Sequence, residues 1–199
     1  MFSQLSRPTW HQALGEFFFY RVDQQLSTAL RTQQERDNQR QMLARAMGSD
    51  HRELIDDLID AGFDESNFEA IQLVPCVAVA WADGFVLPGE IEALRQATEA
   101  FGIAAGSPAE SVCQGWLRRR PDDSLFNVWA KFVCAMSLMQ TPFLRRAITR
   151  EIIEQANSVA KAAGGFFGIA TISHEERQVL ARIEAVVTDN AANTSRFVA

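Results

Sequence analysis

Apolar residues recur along almost the whole chain at steps of three and four, and the segments they mark open on Ser, Asp or Pro and close on Gly. That punctuation belongs to helices: side-chain oxygens and first-turn prolines suit a helix start, and glycine supplies the left-handed stop. The fold class expected is all-α, a compact helical bundle. With 199 residues, 47% of them apolar and 22% charged, the chain has enough apolar surface to bury one substantial core.

The first segment runs from Pro8 to Met47, with Phe17, Phe18, Val22, Leu26, Leu30 and Leu43 on one face. Its middle, RTQQERDNQRQ, is almost free of apolar residues and should leave the core, as a solvated arm or as a break between two helices. Capping-box spacing marks helix starts at Ser49 and Asp50 with Glu53, at Ser66 with Glu69, and at Ser173 with Glu176. Ser107, Pro108 and Glu110 give a further start, and Thr141 with Pro142 another. EAIQLVPCVAVAWA is apolar nearly all round and should be the central helix, with a kink or break near Ile71 to Leu73 caused by Pro75. Residues 1–62 are expected as an N-terminal helical arm, 63–190 as the helical core and 191–199 as a frayed tail.

Nineteen basic against 25 acidic residues give a net charge of −6, which argues against a nonspecific grip on nucleic acid. Cys76, Cys113 and Cys134 lack CxxC spacing and read as buried thiols of a reducing compartment. The beginning MFSQLSRPTWHQ has no basic segment followed by an apolar run, so the expectation is a cytoplasmic protein.

One weak internal repeat is visible. VAWADG at Val79 to Gly84 matches VAKAAG at Val159 to Gly164, and LPGEIEAL lines up with ISHEERQV, so that Glu90 corresponds to Glu175. The first copy, with Ala82, Asp83 and Gly84 leaving a buried helix and Glu90 in the first turn of the next, resembles the TerB-like (tellurite-resistance B) family. The likeness covers residues 66 to 188 and implies a helical core with pseudo-twofold symmetry. It also implies a role in stress responses and membrane-proximal complexes, and a metal ion held by acids at the two turns. The second turn departs from the pattern, since Ala163 stands where a second Asp is expected.

Asp83, Glu90 and Glu175 are the candidate metal ligands, and oxygen donors of this kind suit Ca²⁺ or Mg²⁺. The competing reading is that Asp83 and Glu90 satisfy the backbone amides of their own helix starts. His11, His51 and His174 are too scattered for zinc. The glycine-rich run Ala163 to Gly168 lacks the Lys and Ser or Thr of a phosphate loop, but its Phe166 and Phe167 are candidate contact residues. Trp10, Phe17, Phe18, Phe19 and Tyr20 cannot all share one helix face, so a second chain or the rest of the domain should cover some of them. Few basic residues flank them, which disfavours peripheral membrane contact.

No nucleophile, base and orienting group fall together in the sequence, so no catalytic residues are assigned. The expectation is a non-catalytic binding or scaffolding protein of a bacterial stress-response system, with a protein partner or a homodimer. The alternatives are a hydrolytic enzyme using the same carboxylates around a divalent ion, and a purely helix-mediated assembly module.

Overall fold

A computed structural model describes residues 10–163 and 172–194, and all regular structure among them is helical. In chain order the elements are α1 (Trp10–Met47), α2 (Arg52–Asp60), a 3₁₀ helix (Phe68–Leu73), α3 (Val74–Ala80), α4 (Pro88–Ala100), α5 (Pro108–Arg118), α6 (Ser124–Met139), α7 (Pro142–Ala163) and α8 (His174–Thr194). None of these helices is long and apolar enough to cross a membrane. Phe166, Phe167 and the glycine-rich run they belong to lie outside the described residues, apart from Ala163 at the end of α7.

Helix α1 is one unbroken element, because the Arg, Gln and Glu of RTQQERDNQRQ are good helix formers whose polar ends meet water. Only its last third joins the core. Leu43 is fully buried, while Arg36 reaches Asp56 at 3.3 Å and Asp60 at 2.9 Å, and Arg40 reaches Asp56 at 2.7 Å. Leu54, Ile55 and Leu58 of α2 belong to the same core, so the segment that stands free of it, among the described side chains, is residues 17–35 of α1.

The helix starts follow local competition for amides. Ser107 caps α5 as its spacing suggests, accepting the Glu110 amide at 3.2 Å. Ser49 and Asp50 do not cap α2, whose N-cap is His51 without a side-chain bond. Ser66 does not cap the helix after it either. The Asp64 carboxylate takes the amides of Ser66 (2.8 Å) and Asn67 (3.2 Å), and Asn67 Oδ1 in turn accepts the Asp64 amide at 2.9 Å. The Ser66 hydroxyl itself donates to the Asp64 carboxylate at 2.6 Å, so the charged acceptor two residues upstream holds it away from the helix start.

The central apolar segment divides into the 3₁₀ helix and α3, with the break where Pro75 was expected to cause it. Pro75 sits in the first turn of α3, where a missing N–H leaves no intrahelical bond unmade. Helix α3 packs against α4, α6, α7 and α8, which is why its sequence is apolar on every side. Trp129 of α6, Val159 of α7, and Ile183 and Val187 of α8 close around it. Trp81 Nε1 donates to the Trp116 carbonyl at 2.9 Å and ties the end of α3 to α5. Of the three cysteines, Cys76 and Cys113 are buried, but Cys134 is exposed, because it falls on the outer side of an α6 too apolar for its period to mark an inner face. Burial pushes the Cys76 and Cys113 thiols up to about 12, which makes them inert.

Helices α4 and α7 meet where Gly89 lies under the carbonyl of Ala162, so closely that a β-carbon at position 89 would overlap that oxygen. Glycine to alanine inside a helix ordinarily stabilises by up to about 1 kcal/mol. Here the sign reverses: Gly89→Ala should destabilise by about 1–3 kcal/mol, the range for overpacking against a backbone that cannot yield. Urea unfolding of the two proteins reads the difference, and a more stable variant would show that the α4–α7 contact is loose.

Candidate functional site

The turn between α3 and α4 carries the residues singled out by sequence. Gly84 adopts φ 95°, a conformation open to glycine, and Asp83 before it is exposed. The chain then extends at Leu87 and enters α4 at Pro88. Glu90, in the first turn, folds its side chain back so that Oε2 accepts the Leu87 amide at 2.6 Å. This is half of a capping box, since leucine offers no side-chain acceptor in return.

The start of α8 completes the same device. Ser173 Oγ accepts the Glu176 amide at 3.0 Å, and Glu176 Oε2 accepts the Ser173 amide at 2.5 Å. Glu90 and Glu176 are 1% and 2% exposed, an unusual state for carboxyls with no basic partner. Glu176 Oε1 is buried without any hydrogen-bond partner. The environment leaves a clear electrostatic signature on Glu90. Burial pushes its carboxyl up to about 7, against the opposing hydrogen bond from the Leu87 amide, and the nearby charges of Asp83 and Glu176 push in the same direction as burial.

Of the three expected metal ligands, Glu90 is buried, while Asp83 and Glu175 are exposed. The residue that stands where Glu90 stands, three positions after an N-cap, is Glu176 and not Glu175. Lining up LPGEIEAL with ISHEERQV sets the register of the second copy one residue early. Counting from the cap, Leu87 to Glu90 and Ser173 to Glu176, gives the pair the fold brings together. The expected set does not make a cation cage, since Glu90 is engaged by a backbone amide and Glu175 faces water. Among the described residues no three His, Cys, Asp or Glu side chains are grouped to hold a metal ion. Carboxyls that are 1–2% exposed also cannot touch a substrate without local opening, so the geometry offers two buried helix-capping carboxyls instead of an acid–base site.

The second expected contact surface is on α1. Trp10, Phe17, Phe18, Phe19 and Tyr20 are 60–74% exposed, and Leu26 and Leu30 are 56% and 69% exposed. Phe18, Val22, Leu26 and Leu30 fall at four-residue steps and form one stripe, flanked by Phe17, Phe19 and Tyr20. The described part of the chain covers none of these aromatics. Comparison of the chain with family models, with curated proteins and with solved structures finds no match.

Proposed function

We propose that the chain is a non-catalytic binding and scaffolding module that assembles through the free part of α1, with a second copy of itself as the partner. The supporting observation is the uncovered aromatic and aliphatic stripe from Trp10 to Leu30 on a helix whose core contacts begin only at Arg36. Soluble proteins rarely leave an apolar patch of that extent in water, and most soluble assemblies are symmetric homo-oligomers. A protein surface suits the stripe better than a lipid one, because Arg21 is the sole basic residue between Trp10 and Leu30 and the chain carries a net charge of −6.

The TerB-like resemblance of Ala82, Asp83, Gly84 and Glu90 is what supports a bacterial stress-response setting, and the cysteine usage supports a cytoplasmic one. In this reading the acidic turn is architectural: Glu90 and Glu176 fix the starts of two helices.

Sedimentation velocity on the intact chain and on Phe18→Ser/Phe19→Ser/Leu26→Ser tests the proposal. The intact chain should sediment as a dimer or larger at tens of micromolar, and the triple variant as a monomer with unchanged helix content. A monomeric intact chain that floats with anionic phospholipid vesicles would replace the protein partner with a membrane surface.

A further inference from the structure

A cavity of about 260 Å³ lies between the 3₁₀ helix, α6 and α7, away from the acidic turn and from the exposed stripe of α1. Its walls are apolar, with Phe68, Phe101, Trp129, Phe132 and Ile148 among them. One cation lines it. Arg145 is 9% exposed, and its Nη2 donates to the Gln140 carbonyl at 3.2 Å. Its Nε is buried and has no hydrogen-bond partner. The better-paired arginines of this protein, Arg36, Arg40 and Arg95, each meet two carboxylates, whereas no ion pair among the described residues involves Arg145.

A guanidinium nine-tenths withdrawn from water, with one carbonyl on Nη2 and nothing on its buried Nε, carries an uncompensated desolvation cost. An anion that enters the cavity offsets that cost, and the planar fork of donors matches a carboxylate held by both oxygens. The rest of the lining selects the body of such a ligand. Ser137 gives its hydroxyl proton to the Val133 carbonyl at 2.6 Å, so it adds no free donor. Two further carboxylates, Glu69 and Glu151, sit on the lining, the second accepting a bond from Gln155 at 2.7 Å. One guanidinium pairs one negative charge, so beside these two carboxylates a monoanion is favoured over a dianion such as a phosphate monoester, whose second charge would stay unpaired.

We infer that this cavity binds an aliphatic monocarboxylate of medium chain length, with the carboxylate on the Arg145 guanidinium and the hydrocarbon chain along Trp129, Phe132 and Ile148. Burial of an apolar tail gives affinity, and the charge-assisted bonds to Arg145 give selectivity for the acid over its neutral or cationic analogues. This site is independent of the assembly proposed above.

Calorimetric titration of the intact chain with octanoate, octan-1-ol and octylammonium, each below the concentration at which it aggregates, tests the inference. Octanoate should saturate one site per chain, octan-1-ol should bind at least about tenfold more weakly, and octylammonium should not bind, in line with the loss expected when a buried charge goes unpaired. Arg145→Met should weaken octanoate at least about tenfold while leaving octan-1-ol unchanged, and Arg145→Lys should recover part of the loss. No saturable octanoate binding, or octan-1-ol bound as tightly as octanoate, overturns the assignment. Those two outcomes concern the unmodified chain, so they decide the matter even if Arg145→Met fails to fold.

Discussion

Glu90→Gln should stabilise the protein at pH 8 and leave it nearly unchanged near pH 4.5. The carboxyl is held at about 7 in the folded chain, against an ordinary value of 4.5. Below 4.5 it is protonated in both folded and unfolded states and makes no difference. As pH rises from 4.5 to 7 the folded state holds a proton that the unfolded state has released, so stability falls through this window and the full penalty is in place above it. A displacement from 4.5 to about 7 corresponds to about 3 kcal/mol, an upper bound on what the substitution recovers. Glutamine keeps an oxygen for the Leu87 amide and carries no charge, so the cap survives while the buried charge does not. Urea midpoints at pH 4.5, 6 and 8 read the effect. A variant destabilised equally at all three would mean that Glu90 is compensated when ionised and matters only as a cap. Ca²⁺ or Mg²⁺ should leave the wild-type midpoints in place. A rise at pH 8 that Glu90→Gln abolishes would put a cation beside the two buried carboxyls after all.

Removing residues 1–33 and removing residues 1–48 should have very different consequences, although the cuts are only 15 residues apart. The shorter deletion takes the uncovered stripe and leaves Arg36, Arg40 and Leu43 in place. The longer one removes a fully buried leucine from the core and both arginines from Asp56 and Asp60. Emptying a buried leucine site costs about 2–5 kcal/mol, and the half-buried ion pairs add to that. For a chain of this size each kcal/mol moves Tm by about 2–4 °C, so the longer deletion should lower it by about 4–20 °C and the shorter by less than about 2 °C. The comparison belongs at sub-micromolar protein, where association makes no contribution to Tm. Equal losses would show that the first 33 residues pack on the core and are not a free arm.

Much of the architecture was legible because helix signals are local. Gly62 and Gly102 take the positive φ that ends α2 and α4, and Ser107 and Ser173 cap as their spacing says. The misses have the same local origin. Ser66 was lost as a cap because the Asp64 carboxylate takes its amide and its hydroxyl proton, a competition that capping-box spacing does not register. Cys134 was expected inside because α6 is apolar on most of its surface, so its period does not say which side faces the core. The pairing of Glu90 with Glu176 required the register of two helix starts, and a residue-by-residue match of LPGEIEAL with ISHEERQV set it wrong by one. Arg145 gave no signal at all in sequence. An arginine in the first turn of an amphipathic helix reads as solvated, and only the cavity enclosed by the 3₁₀ helix, α6 and α7 shows it withdrawn from water.

The most direct measurement of the assembly proposal is amide hydrogen exchange across α1 at two protein concentrations, about 1 µM and about 100 µM. Amides of a lone solvated helix open and exchange quickly, whereas those covered by a partner are protected by the free energy of association. Slowing confined to residues 17–30 at the higher concentration, with residues 36–47 protected equally at both, is the expected result. Exchange across 17–30 that is equally fast at both concentrations would contradict self-assembly through this helix.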